Sequence, residues 1–505
     1  MDGHVDAGLP SRIAALAHAH FNALPRRSKP VVRPDTREWT PMSSIVVVRG
    51  ENTPTESLTC VSIATGAKCL AASQIPRCRG LVLHDCHAEI LALRAFNYWL
   101  ITECRSILAH GQASTEGPSP FVRRRRTENS GSPSKNASPP PGPLFPPLEL
   151  HPDVTIYLYC TCAPCGDASM ELCMAAQEDA TPWAIPPDAS DADADADSLL
   201  DGRAHFSRLG VVRRKPARTD AEVTRSKSCS DKLSLREVAS LLSLETSLLV
   251  APSASAYLAG LILPEGEISR DGCERAFGGS GRMGSLAGLA WPGGGDVEGT
   301  SGHYCYGFRP FRVLSIPTAL LEELWAFGKP APQERSGDIP RKSKPGVVSA
   351  IWACAPSGLD PVPQENGSRI LPSLRGSRTG LYENIINGVR QGNRASSPSP
   401  RGASGLSRAK LWGLLREVLL VSSGPAEKRD PGSRSDCAIH DGKEAGDTRG
   451  RALEASTYYG FKQASLGARS NAIHNARKTL KGWTRNWGDE DWGLEVLIDS
   501  EEEKA

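Results

Sequence analysis

The chain has 505 residues, with 48 Gly, 39 Pro, 14 Cys and a formal net charge of +2. The cysteines are unevenly spaced and no signal-peptide pattern precedes them, which argues against a disulfide framework and for a reducing compartment, the cytoplasm and/or nucleus. No apolar run reaches spanning length, so a soluble intracellular protein with no membrane partner is expected. Charge is unevenly spread: acid gathers in Asp188–Asp201 and 489–503, base in Arg26–Lys29, Arg123–Arg126 and Arg213–Arg218. The body is therefore more basic than the total, which allows a nucleic-acid partner.

In chain order, Pro10–Leu24 has helical periodicity with Ile13, Leu16 and Phe21 on one face. Ser43–Arg49 is a β-branched strand, and Ile63–Cys69 reads as a turn. The apolar run Leu81–Leu83 ends in His84-Asp85-Cys86-His87 and then in an apolar helical segment to Leu100. That is a strand running into a helix, with His87 and Glu89 in the first turn. Alone, His-Ala-Glu is also what a helix start favours, because a carboxylate suits the positive end of the helix dipole.

Residues 111–147 are Ser, Pro, Gly and Arg with few apolar positions, a flexible insertion whose arginines read first as a solvated charge run. Val154–Thr161 is a strand feeding Pro164-Cys165, and Asp167–Ala176 is helical in composition, with Met170, Cys173 and Met174 expected in the core. After a second insertion at 186–203, Gly210–Arg214 is a short strand leading through a basic loop to Cys229. Lys232–Leu249 has leucines at helical spacing, and Tyr257–Leu263 is a buried strand. Further strands are expected at Tyr304–Ser315 and Gly346–Ala353, and helices at Leu406–Leu419 and Tyr458–Leu480. The stretches 278–302, 333–345, 394–404 and 423–450 complete the flexible insertions, and 491–505 is an acidic tail. Strands alternating with helices indicate one α/β domain over 10–490, interrupted by loops.

Three junctions carry chemistry: His87 with Glu89, Pro164-Cys165, and Ser228-Cys229-Ser230-Asp231-Lys232. Hydrolytic deamination needs a metal with three protein ligands and an open fourth position, and a carboxylate that moves protons without being a ligand. The zinc-deaminase pattern is His-x-Glu followed by Pro-Cys-x-x-Cys. Here Cys165 is followed by Gly166-Asp167-Ala168, so the last thiol is missing locally. Cys162 and Cys165 form a Cys-x-x-Cys that could instead be a metal clip or a redox pair. Cys162 is expected in the preceding strand as an apolar side chain, and Cys86 as packing.

The chain resembles the family of adenosine deaminases acting on RNA, through HDCHAEILALR (84–94), APCGDASM (163–170) and SKSCSDK (226–232). RRKPARTD (213–220), SLLVAPSASAYLAGLILPE (247–265), CERAF (273–277) and YGFRPF (306–311) align it with the tRNA-acting, fungal-type branch. The resemblance implies a cytidine-deaminase-like three-layer α/β/α sandwich with a mixed central sheet and a helical C-terminal part. It implies adenosine-to-inosine deamination in tRNA at position 37, next to the anticodon of alanine tRNA, with no obligate protein partner. Zinc would be held by His87, Cys165 and Cys229, with Glu89 as proton shuttle. A buried inositol hexakisphosphate would be held by Lys68, Arg94, Lys232, Arg408, Tyr458, Lys462, Arg477 and Trp483, with Arg236 a displaced candidate. Thr65 and Ala67 would touch the target ribose, and Arg213, Arg214, Lys215 and Arg218 are candidates for phosphate contacts. The rivals are a deaminase of another RNA or of cytosine, a silent RNA-binding relative, and a structural zinc protein, which would want four closed ligands.

Overall fold

The computed structural model describes residues 8–33, 36–109, 119–125, 145–176, 200–201, 208–215, 222–292, 304–329, 342–357, 380–421, 449–465 and 467–498. Its centre is a mixed eight-stranded sheet. The strands are β1 (Met42–Arg49), β2 (Ser57–Thr65), β3 (Val154–Cys160), β4 (Leu258–Pro264), β5 (Arg312–Ile316), β6 (Ser349–Ala353), β7 (Leu381–Ile386) and β8 (Val389–Arg390). They lie in the order β5-β4-β3-β1-β2-β6-β7-β8. The β5–β4 and β4–β3 pairs are parallel, and every pair from β3 to β8 is antiparallel.

The strand period of two builds the layers. Along β1, Val46 and Val48 join Ile13, Ala17 and Phe21 of helix α1 (Leu9–Ala23) on one face. Ile45 and Val47 join the opposite core, which holds helix α2 (Ala88–Ala109). Helix α2 is buried nearly all round, including Leu91, Phe96, Trp99 and Leu100, as befits an interior helix. At about 1.5–3 kcal/mol per large apolar side chain removed from water, it is held firmly enough to fix whatever its first turn carries. Helix α3 (Cys229–Ala239) lies nearer the strand-to-helix junctions, and α4 (Arg408–Val421) packs on α2. Among the described residues no helix is long and apolar enough to cross a membrane.

Several expectations are corrected. The turn expected at Ile63–Cys69 shrinks to Gly66: β2 runs to Thr65, and Ala67–Cys69 pairs antiparallel with Asp85–His87. Gly66 has φ +138°, and a Cβ there would lie 2.1 Å from Ser349 Oγ and 2.3 Å from the Cys86 carbonyl oxygen, so only glycine fits. Cys173 and Met174 are half-buried, since the helix Met170–Ala175 lasts under two turns. The helix expected at Lys232–Leu249 begins earlier, at Cys229, and stops at Ala239 because Ser240 turns to φ +59°. Leu241, Leu242, Leu248 and Leu249 are core residues outside that helix. Tyr458–Leu480 is two helices, α5 (Tyr458–Ala464) and α6 (Ala468–Thr479), with Ser465 and Gly467 between them.

The flexible insertions are only partly loops. Val122–Arg124 pairs with Leu148–Leu150, Ala290–Pro292 pairs with Cys305–Gly307, and Lys342–Pro345 pairs with Thr36–Trp39. Met283, Leu286, Ala403 and Ser404 are buried. In the stretch 491–505, Trp492, Val496 and Leu497 are buried, so the acidic tail begins later than expected. Residues 111–118, 126–144, 186–199, 202–203, 293–302, 333–341, 423–448 and 499–505 of these segments lie outside the described residues.

Candidate active site

Three segments distant in sequence meet at one end of the sheet. His87 ends the strand Asp85–His87, and Ala88, the first residue of α2, donates its N–H to the Gly66 carbonyl (2.9 Å). Cys165 sits in the loop after β3. Cys229 opens α3, where Ser228 caps the helix by accepting from Asp231 N (3.1 Å). His87 Nδ1 lies 3.8 Å from Cys165 Sγ and 3.6 Å from Cys229 Sγ, and the Cys229 N–H donates to Cys165 Sγ (3.3 Å). The three ligand atoms fall within 4.8 Å of one another. A tetrahedral zinc with Zn–S of about 2.3 Å and Zn–N of about 2.0 Å has ligand–ligand edges of roughly 3.5–3.8 Å, so the set fits that ion with one position left open.

The serines of the third motif explain its spacing. Ser230 N donates to the Cys165 carbonyl (3.0 Å), and Ala168 N donates to Ser230 Oγ (3.2 Å), which locks the Pro-Cys-Gly loop onto the start of α3. Gly166 has φ +106°, and a Cβ there would stand 2.2 Å from Ser228 Oγ, so glycine lets the two cysteines approach. The Cys165 thiol is held well below its ordinary range by a hydrogen bond from Cys229 and by the Lys215 and His87 charges, despite its burial. Glu89, in the first turn of α2, is buried, and that burial raises its carboxyl above the usual range.

Cys162 is half-buried, with its thiol pushed up by burial, and it is absent from the ligand-compatible trio. Cys86 is buried with its thiol likewise raised. Two other ligand-like clusters occur among the described residues, Cys69–Asp85–His87 and Cys78–His84–Asp489. Their carboxylates are already met by cations: Asp85 by Lys215 and Lys232, and Asp489 by Arg408 (3.2 Å).

The substrate-contact expectations divide. Thr65 is buried, with Oγ1 accepting from Ala350 N (2.9 Å), while Ala67 is half-buried beside the site. Arg213 is 1% exposed and its pKa is lowered by burial, so it is an interior cation and not a phosphate contact. Lys215 is also interior. Its Nζ donates to Asp85 Oδ2 (2.9 Å) and to Cys229 Sγ (3.2 Å), and burial is outweighed by Asp85 and the thiolates, which raise its pKa well above the usual lysine value. A run of bases reads as surface, but the strand Arg213–Arg214 turns part of it inward. Arg214 is half-buried on that strand, and Arg218 lies outside the described residues.

On the far side of Asp85 a cavity of about 530 Å³ opens between α2, α3, α4, α5 and α6. Its lining includes Arg94, Lys232, Arg408, Tyr458, Lys462, Arg477 and Trp483, so the structure brings together all of the expected anion-binding set except Lys68. Lys68 is exposed on the strand Ala67–Cys69 and is not part of the lining. Lys227, Arg236, Arg469 and Arg485 complete the lining cations; of these, sequence reasoning offered only Arg236. Arg236 Nη1 and Arg469 Nη2 both donate to the Leu242 carbonyl (2.9 Å each), and Arg469 Nε is buried without a partner among the described residues. Burial lowers the pKa of Arg94 and Arg469 and brings Arg236 down to about 9. Lys232 bridges the two sites: it lines the cavity and pairs with Asp85, which also binds Lys215. Burial would raise the Asp85 carboxyl, but the Lys215 and Lys232 charges hold it well below the carboxylate range.

Residues 62–278 match the adenosine-deaminase (editase) domain. More particularly, the chain is 36% identical over 297 residues to tRNA-specific adenosine deaminase 1 of Schizosaccharomyces pombe, covering 58% of this chain and 64% of that protein. It is 31% identical over 225 residues to the Saccharomyces cerevisiae protein of the same name, covering 44% of this chain and 50% of that one. A shorter match, 30% over 129 residues, is to the double-stranded RNA-specific editase B2 of Rattus norvegicus, covering 26% of this chain and 14% of the editase.

Proposed function

We propose that the chain is a zinc-dependent hydrolase that converts adenosine to inosine in tRNA, at position 37 next to the anticodon of alanine tRNA, inside the cell. The convergence of His87, Cys165 and Cys229 beside buried Glu89 carries this reading. The names of the fungal relatives support the tRNA substrate. A zinc ion on the three ligands would hold a water and lower its pKa toward neutrality. Glu89, its carboxyl raised by burial, is suited to carry one proton of the attacking water to purine N1, where it stays, and then the proton of the new C6 hydroxyl to the amine, which leaves as ammonia. Helix α2 holds that carboxyl still, and the apolar residues around it exclude bulk water. The target base reaches the site flipped out of its stack.

The cavity fits inositol hexakisphosphate. Arg94, Lys227, Lys232, Arg236, Arg408, Lys462, Arg469 and Arg477 would hold its phosphates, with Tyr458 donating. The test is incubation with total tRNA lacking the modification, then sequencing, where inosine reads as guanosine. Inosine beside the alanine anticodon is the expected result. Unmodified tRNA after treatment with zinc-loaded protein would overturn the reading.

A further inference from the structure

A lone exposed hydrophobic side chain needs no explanation. Trp487 is different. It is 57% exposed, the highest value among the large hydrophobics of the described residues, and it is framed by arginines from separate segments. The Arg485 guanidinium lies 4.1 Å from its ring centroid, and Arg225 donates to its carbonyl. The next residue, Gly488, brings the backbone against Arg225 and Ile75, where a Cβ would lie 3.5 and 3.8 Å away. Gly80 N donates to Asp489 Oδ1 (2.8 Å), tying the same stretch to the loop 70–80. On that loop Gln74, Arg77 and Arg79 are exposed. The nearby carboxylate of Glu490 is already shared by Arg485 and Lys462 (2.8 Å each), and Glu222 accepts from Ser73 N on the loop (3.4 Å), so Arg77, Arg79, Arg225 and Arg485 outnumber these two acids. The loop joins the strands Ala67–Cys69 and Asp85–His87, so the patch is built on the segment that frames His87.

We propose that Trp487, Arg225 and the exposed side chains of loop 74–79 form a docking platform for the RNA strand flanking the target nucleotide. An unpaired base would stack on the indole while the guanidiniums meet the neighbouring phosphates. An indole offers a flat face that any base can use, and arginines around it supply the backbone contacts, which is how sequence-tolerant single-strand sites are built. Charge complementarity selects RNA over an acidic peptide, because stacking on Trp487 needs a planar ring from the ligand as well as negative charge. The inference rests on the tRNA reading above and assigns that substrate a contact outside the reaction centre.

The test measures tRNA binding by fluorescence anisotropy on the full chain at several salt concentrations, for wild type, Trp487→Ala, Trp487→Phe and Arg225→Gln. Trp487→Ala is expected to weaken Kd roughly fivefold to 150-fold with an unchanged salt slope, and Trp487→Phe to recover most of the loss. Arg225→Gln is expected to lower the salt slope by about 1. In deamination assays Trp487→Ala should raise KM with little change in kcat. An unchanged Kd in Trp487→Ala, or no tRNA binding by wild type, overturns the platform and leaves this face to a protein partner. Inosine formation by wild type tests the activity separately: a Kd that depends on Trp487 without inosine would sink the catalytic reading alone.

Discussion

Replacing Arg236 by Met should stabilise the protein when the cavity is empty and destabilise it when a polyanion is bound. Five lining cations, Arg94, Lys227, Arg236, Arg469 and Arg477, have no carboxylate within salt-bridge distance among the described residues, and Glu245 is the one lining carboxylate left for them. A 530 Å³ cavity is about 10 Å across if roughly spherical. At that spacing and an effective dielectric of about 20, a unit pair is worth about 1.7 kcal/mol. Ten repulsive pairs offset by five attractions to Glu245 leave about 8 kcal/mol, comparable to the whole stability of a typical domain, about 5–15 kcal/mol. Losing Arg236 leaves six repulsions and four attractions, a relief of about 5 kcal/mol before salt screening. With a polyanion in place the same change removes a charge-assisted hydrogen bond, costing about 1.5–3 kcal/mol. The assay is urea unfolding of wild type and Arg236→Met, refolded with inositol hexakisphosphate, with inorganic phosphate, or with neither. The sign should invert between the first and last conditions. Equal destabilisation in all three, or a wild type indifferent to the polyanion, refutes the reasoning.

Glu89→Gln should lower kcat by roughly 10²–10⁴-fold while zinc content by elemental analysis stays near that of wild type. Cys229→Ala should lose zinc and activity together, whereas Cys162→Ala should keep both; the reverse would place the metal on the local Cys-x-x-Cys. Gly66→Ala should lower the melting temperature and the zinc content together, since left-handed backbone strain of about 1–3 kcal/mol adds to the clash with Ser349 and Cys86. Glu237 is buried, and that burial raises its pKa well above the usual carboxylate value despite the Arg282 charge and the Phe311 backbone N–H. A carboxyl raised on folding favours the folded state below its unfolded value, near 4.3, and costs stability as pH rises above it. Glu237→Gln should therefore stabilise the protein at pH 7 and hardly at pH 4, as read from urea midpoints.

The three chemical junctions were legible because each pairs a short polar knot with apolar runs that can only be a buried strand or helix. Arg94 was legible for the related reason that a cation amid ILALRAFNYWL must find an anion. Other features were hidden by tertiary context. Lys215 sits in a basic run that reads as surface, and nothing local reveals that Asp85, 130 positions away, draws it inside. Arg469 lies in a helix of low hydrophobicity whose inward face is polar because the cavity is. The β7–β8 hairpin did carry a readable signal, Asn387-Gly388 at positive φ, the dipeptide that favours tight hairpin turns. Composition obscured the paired strands inside Gly-, Ser- and Pro-rich stretches, where a few side chains such as Met283 and Leu286 do the packing.

The cavity's walls have a consequence for synthesis. Arg94 and Lys232 fall within the editase-matched region, but α4, α5 and α6 close the space around them from residues 408–479. On the ribosome, Arg94 therefore emerges roughly 300–400 residues ahead of its last neighbours, which at about 5–20 residues per second is roughly 15–80 s. Through that interval the interior face of α2 has no roof. The end of the matched region is thus a boundary of sequence likeness and not of folding, and a fragment stopping at residue 278 should aggregate.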